Sequence, residues 1–370
     1  MKITSALLFC LLFSLPVMAT EIALFVPRSE TPAWQAQIKF AQAAADDLGV
    51  SLRVYNGHNQ AQRMLAQVQE VCEQGVDGIL FMNYEQIGEQ ILAIAERHKT
   101  PGILYNTGFA NSDLLPRTKY KTWIGSIIPD DHKAGALLAE QLLQKAEQEK
   151  ITGINLMVIN GSLTEVSAQQ RNAGLYQFIK HSPHVQVVAE YNGDKDWSRS
   201  EAKRLFIEHY QRNPAINLVW AASDSLALGA RDGMAELSIP MDQLIVGGID
   251  WLPEALQTID LQQTQISVGG HFTEAAWGVI LLKDYLEGHD FAVESTQFNS
   301  QMYAINHQNL KTFQSFIDDN WQRIDFTALS KAQDSDKLYN FSIKHLLDTY
   351  IPKYQTIGSD CGRDRLAETA

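Results

Sequence analysis

The chain has few cysteines and no arrangement of them that chemistry would call for. Three occur in 370 residues, Cys10, Cys72 and Cys361, and no pair has the CxxC spacing of a redox or zinc motif. A glycine-rich phosphate loop, a GxSxG elbow and an HExxH helix are also missing, so no catalytic signature stands out and neither a cofactor nor a metal is expected. Cationic residues are the minority: 30 Lys and Arg face 43 Asp and Glu, for a formal charge of -13. That balance disfavours nucleic acid and anionic membrane surfaces as partners. Apart from the N-terminal stretch there is no long apolar run, and direct membrane insertion is not expected. No internal repeat is strong enough to indicate duplication.

What is present begins with a leader. MKITSALLFCLLFSLPVMA starts on Lys2, runs apolar from Ala6 to Leu15 and ends on Val17-Met18-Ala19. A cationic start, a short apolar core and a small-residue cleavage site predict a secretory signal over residues 1–19, with the mature protein in the periplasm from near Thr20. No small residue precedes Cys10, so no lipid anchor is expected. Losing Lys2 takes the charge from -13 to -14. An oxidising compartment would permit a Cys72–Cys361 disulfide. The apolar helical stretch VQEVCEQGV suits a buried free thiol at Cys72 equally.

The remaining chain, in a sequence that is 45% hydrophobic, alternates two periodicities. Short apolar runs, IALFV, SLRVYN, GILFMN, GILYNTG and TWIG, are separated by stretches of helical period, and a long helix follows from about Pro129 to Glu149. The pattern restarts with INLMVIN, VQVVAEYN, NLVWAA, QLIVGGID and QISVGG, and QFNSQMYAIN reads as one more strand. Apolar strands alternating with helices predict parallel sheets covered on both faces. Two such series predict two doubly wound α/β lobes. An amphipathic helix is expected over 338–350, with a loose tail beyond it.

In open parallel sheets ligands bind beyond the carboxyl ends of the strands. The residues there include Arg28 with Trp34, Asn56 and His58, Asn83, Asn106 and Thr107, Ser162, Trp197, Ser223 and Asp224, and Asp250 and Trp251. Asn, Ser and Asp are the preferred caps of helices, and capping alone accounts for many of them. It does not account for three indoles in the same set, which suit stacking walls. Asp130-Asp131-His132 looks metal-like, but it follows Pro129 at a helix start, where acidic residues favour the helix dipole.

These segments carry a family resemblance. GVDGILF and TPGILYNT, QQRNAG, DWSRSEA before NLVWAASDSLALGA, and VGGID resemble, in order and spacing, the type 1 periplasmic binding proteins, over about residues 22 to 305. The resemblance implies two lobes joined by a three-strand hinge near Ile124 to Ile128, Gly269 to Phe272 and Thr296 to Met302. Lobe one would comprise 20–126 plus 272–297, lobe two 127–271 plus 298–350, with a tail over 351–370. It further implies a ligand set. Trp34 and Trp197 would stack on ligand faces, Asn106 and Thr107 would hydrogen-bond from lobe one, and Arg171 would reach in from lobe two. Ser223, Asp224 and Asp250 would fall on or next to positions that bind hydroxyls, with Asp224 either touching the ligand or orienting Ser223 and Arg171, and His271 would stand at the second crossing. Trp34→Ala, Arg171→Ala and Asp250→Ala are each expected to abolish or greatly weaken binding while leaving thermal unfolding nearly unchanged.

The function implied is a non-enzymatic solute receptor closing on a small polar, sugar-like ligand and presenting it to a membrane permease of an ABC-type importer. A sensor kinase or other signalling receptor is the alternative partner. A periplasmic enzyme using Asp224, Asp250 and His271 is a further reading. A DNA-binding regulator is disfavoured by the leader and the acidic charge. The segment beyond residue 305 is longer than such a receptor needs and reads as structural padding or as a docking surface.

Overall fold

The computed structural model describes residues 19–110, 113–193, 197–262, 266–317 and 321–348. Nearly all of the leader, residues 351–370 and Cys361 lie outside them, so the disulfide and tail expectations do too. Cys72 itself is buried in a helix, and burial pushes its thiol up from the ordinary value.

The first series runs β1 (Glu21–Val26), α1 (Pro32–Asp47), β2 (Ser51–Asn56), α2 (Ala61–Glu73), β3 (Gly78–Phe81), α3 (Gly88–His98), β4 (Gly102–Tyr105) and β5 (Trp123–Pro129). The chain then crosses in α4 (Asp131–Gln148) to β6 (Ile154–Asn160), α5 (Val166–Ile179), β7 (Val185–Asn192), α6 (Arg199–Arg212), β8 (Leu218–Ala221) and α7 (Asp224–Glu236). The second series ends with β9 (Ile245–Ile249), α8 (Pro253–Asp260) and β10 (Ile266–Gly269). After it come α9 (Glu274–Leu286), β11 (Gln297–Ser300), β12 (Tyr303–Asn306) and α10 (Leu310–Ile317).

Two six-stranded sheets result, ordered β11-β5-β4-β3-β1-β2 and β12-β10-β9-β8-β6-β7. The pairings are parallel except that β12 runs antiparallel to β10. The local causes are ordinary. β1, β3 and β4 are buried on both faces, as apolar strands between helix layers must be. Pro32 opens α1, where its missing N–H costs nothing. Asp130, Ser198 and Ser223 each accept a backbone N–H at the start of α4, α6 and α7.

QFNSQMYAIN is not one strand. Its first half, β11, pairs with β5 in the first sheet, and its second half, β12, pairs with β10 in the second. The chain therefore passes from one sheet to the other at Gln301 and Met302.

The C-terminal segment also departs from expectation. Residues 298–350 were expected in lobe two, yet beyond β12 the apolar side chains join the core of lobe one. The Phe40 ring of α1 lies 5.3 to 5.9 Å from those of Phe316, Trp321 and Phe326. Trp277 of α9 stacks on Phe341 at 5.1 Å. Asp284, fully buried on α9, accepts hydrogen bonds from the Lys331 N–H at 2.8 Å, the Tyr339 hydroxyl at 2.7 Å and the Ser330 hydroxyl. The physical reason is α9 itself. It is apolar around most of its circumference, so its outer side needs a cover as much as its inner side does. The same segment reaches the other lobe. Phe313 meets Trp251 edge-on at 5.1 Å, and Ile343 occupies the space where a Cβ on Gly270 would lie. Residues 343–348 are helical, within the expected 338–350.

Candidate functional site

The carboxyl ends of both sets of strands face a cavity of about 250 Å³ between the lobes. Its lining includes Trp34, Asn106 and Thr107 from the first series, and Arg171, Trp197, Ser223, Asp250 and His271 from the second series and the hinge.

Arg171 is the centre of the charged floor. It comes from α5, is 5% exposed, and donates from Nε to Asp131 Oδ1 at 2.7 Å. Its Nη1 donates to the Ala222 carbonyl at 2.8 Å and to Asp250 Oδ1 at 3.4 Å. Burial works against its charge, but the Asp131 and Asp250 carboxylates outweigh burial and hold the guanidinium protonated. α4 brings Asp131 to Arg171 by an unusually close helix contact. A Cβ built on Gly135 would stand 1.9 Å from the Arg171 carbonyl oxygen, and one on Gly174 would stand 1.9 Å from that of His132.

Asp250 ends β9 in a tight turn, with φ 137° at Asp250 and 58° at Trp251. Left-handed backbone at two non-glycine residues is strained, and Asp224 braces it. That carboxylate is fully buried, does not line the cavity, and accepts from the Leu252 N–H at 2.9 Å and the Ser267 hydroxyl at 2.8 Å. Of the two roles the sequence left open for Asp224, direct contact or orienting its neighbours, this geometry fits the second. Ser223 does two things: its hydroxyl caps α7 by accepting from Leu226 N–H at 3.3 Å, and it lines the cavity. Trp251 is 5% exposed and its indole N–H donates to the Ser267 and Tyr303 carbonyls, which makes it an anchor more than a wall.

His271 Nε2 lies 3.5 Å from Asp250 Oδ1. Burial, helped by the nearby Arg171 charge, pushes its pKa down to about 3, so the ring is neutral. Its Nδ1 is buried with no hydrogen-bond partner among the described residues. Trp197, with φ 49°, sits over Gly161, where a Cβ would come within 2.3 Å of the indole. Its Nε1 donates to Glu165 Oε2 at 3.1 Å, and the Arg171 guanidinium lies 5.7 Å from the ring centroid. Asn106 stands at φ 62° and accepts from the Thr107 hydroxyl at 3.1 Å.

Among the lining residues that sequence reasoning missed are Asp131, Gln37 and Glu165. Asp131 was read with its neighbours as a helix start; Asp130 does cap α4, leaving Asp131 to face Arg171. One carboxylate suffices for a cap, so a second beside it was the available signal. Gln37 lines the cavity and is 2% exposed, three residues after Trp34 and so on the same face of α1. Glu165 is the third, and had no sequence signal of its own. Among the described residues no cluster of three or more His, Cys, Asp or Glu could hold a metal, and no helix is long and apolar enough to cross a membrane.

The two buried carboxylates give the site a pH signature. Burial first, and the neighbouring Asp250 charge second, raise Asp224 to about 8. Burial raises Asp250 to about 6 against the pull of Arg171. An unfolded aspartate titrates near pH 4. Between roughly pH 4 and 8 the folded protein therefore binds more protons than the unfolded chain, and their contribution to stability falls as pH rises. Asp224→Asn, which keeps an acceptor without a charge to bury, is expected to flatten that decline when unfolding free energy is measured from pH 5 to 8. Identical pH profiles for the two proteins would contradict the assignment.

Comparison with known proteins gives the family. A family model for the periplasmic binding protein domain matches residues 22–290. The D-allose-binding periplasmic protein of Escherichia coli K12 is 24% identical over 270 residues, which cover 72% of this chain and 84% of that protein. The D-apiose import binding protein of Paraburkholderia graminis is 25% identical over 249 residues, covering 66% and 75%. A crystal structure of a periplasmic sugar-binding protein from Pseudomonas fluorescens superposes with a TM-score of 0.78 at 28% identity, covering 89% of this chain and 99% of that one. With its two parallel-sheet α/β lobes, the chain belongs to the periplasmic binding protein family and has the type 1 fold.

Proposed function

We propose that the protein is a non-enzymatic periplasmic receptor that closes on a small, polar, sugar-like ligand and presents it to the permease of an ABC-type importer. The observation that carries this reading is the pairing, in one cavity, of two indoles with a buried Asp131–Arg171–Asp250 cluster. A sugar has apolar C–H faces and a belt of hydroxyls that both donate and accept. Trp34 and Trp197 cover faces, while Asp250, Arg171, Asn106 and the neutral His271 satisfy hydroxyls in a site largely withdrawn from water. Relatives named for D-allose binding and D-apiose import support the ligand class and the importer. The leader-like residues 1–19 support export.

Mass spectrometry of the ligand that co-purifies with the native protein tests this directly, followed by calorimetric titration with that ligand. Recovery of the ligand unchanged and in stoichiometric amount is expected; its turnover would favour the enzyme reading. Trp34→Ala removes a half-buried ring whose loss leaves the core intact. Lost stacking and apolar burial against the ligand are worth about 2–3 kcal/mol, roughly 30- to 150-fold in affinity. Unaltered binding would take Trp34 out of the site.

A further inference from the structure

The cleft continues past the cavity that holds Arg171. A second cavity of about 280 Å³ adjoins it and shares Met82, Tyr84, Thr107 and Glu165 with the first. It adds Asn83, Glu85 and Gln86 from lobe one, and Thr164 and Val166 from the start of α5. Neither cavity reaches the roughly 300–1,000 Å³ of a drug-sized ligand site, whereas the two together do.

The lobe-one wall of this outer cavity is a braced turn. Asn83, 2% exposed, accepts from the Gly88 N–H at 2.9 Å and donates to the Gly108 carbonyl at 3.0 Å and to Gln86 Oε1 at 3.2 Å. Around it the backbone holds two successive non-glycine residues left-handed, Glu85 at φ 45° and Gln86 at φ 64°. Each costs on the order of 1 kcal/mol or more, a strain usually retained where a site needs a side chain placed. Both residues line the outer cavity.

The wall chemistry continues that of the inner site with one difference. Met82 and Val166 offer an apolar surface, rimmed by the Thr107 and Thr164 hydroxyls, the Gln86 amide and the Glu85 and Glu165 carboxylates. No Lys, Arg or His is among the described residues lining it. Such a wall suits a ring with C–H faces and hydroxyls that donate to carboxylates, and it repels an anionic group such as a phosphate or a uronate.

Resting on the sugar reading of the inner cavity, we propose that the cleft has two subsites and takes an uncharged, glycosidically extended ligand, with one ring in the inner cavity and a second polyhydroxylated unit against Val166, Gln86 and Thr164.

The test is calorimetric titration of the ligand-stripped full chain with the free sugars D-galactose, D-glucose and L-arabinose. The same protein is then titrated with the uncharged disaccharides melibiose, lactose and gentiobiose. Thr164→Trp and Val166→Trp each place an indole in the outer cavity, and neither position lines the inner one; Thr164 is outside any helix, which makes it the safer of the two for folding. At least one disaccharide is expected to bind tenfold or more tighter than its component sugars. The two variants are expected to cost it tenfold or more while leaving free-sugar binding within twofold. Free sugars that bind as tightly as every disaccharide, or variants that weaken both classes alike, would overturn the second subsite and leave the sugar reading standing. Failure of all six probes with a single-ring sugar as the co-purifying ligand would overturn the second subsite alone, and with a co-purifying ligand that carries no sugar it would overturn the sugar reading and this inference with it.

Discussion

Arg171→Ala is expected to abolish ligand binding and to destabilise the apo protein by about 3–5 kcal/mol. The sequence reading expected only the first effect, because an arginine reaching into a ligand cleft is ordinarily solvated when the cleft is empty. Here the side chain is 5% exposed and already bonded to Asp131, Asp250 and the Ala222 carbonyl. Its removal strands two buried carboxylates and an unpaired carbonyl, and a broken buried ion pair costs far more than an exposed one. Arg171→Lys keeps the charge but loses the planar fork, so it is expected to recover part of the stability and little of the affinity. Denaturant unfolding and calorimetric titration of both variants check this. An Arg171→Ala protein as stable as the parent would show that the cluster is not buried as described.

Gly135→Ala should act on the same cluster from behind. In an ordinary helix this exchange stabilises by about 1 kcal/mol. At this position the new methyl would stand 1.9 Å from a backbone oxygen of α5, which cannot swing aside as a flexible side chain would. Overpacking of this kind costs about 1–3 kcal/mol and occasionally more, so the steric term wins. The helices must separate, and the contact they lose is the one holding Asp131 against Arg171. Reduced stability and at least tenfold weaker binding are expected together in unfolding and titration experiments. A stabilised Gly135→Ala protein with normal affinity would contradict the close approach of α4 and α5.

Much of this site could be read before any coordinates, for a reason that belongs to the fold. A parallel sheet delivers the residue after each strand to one edge, so Asn106, Ser223 and Asp250 could be gathered from strand ends alone. The direction in which each side chain turns is not coded that way. Ser223 and Asp224 are adjacent, yet one lines the cavity and the other braces the Asp250 turn from beneath. Asp130 and Asp131 divide in the same manner, one to a helix cap and one to Arg171. Both divisions depend on a partner far along the chain, which local period cannot reveal. The apolar C-terminal residues were equally visible, but their destination on α9 was not, because it depends on which flank the rest of the fold leaves bare.

That destination also changes what the two lobes are to each other. Trp251, Leu256 and Ile259 of the second series belong to the same continuous apolar cluster as Phe40 of the first, Trp277 of α9 and Phe326 of the C-terminal segment, with Phe313 and Phe316 packed against them. Two bodies joined only by hinge strands could melt in turn, each keeping its own ΔG. Here the Trp251 and α8 edge of the second lobe cannot separate from the first without exposing rings that the two share. The C-terminal segment therefore couples the two lobes through packing as well as through the hinge, and a truncation ahead of Leu310 is expected to remove stability from both.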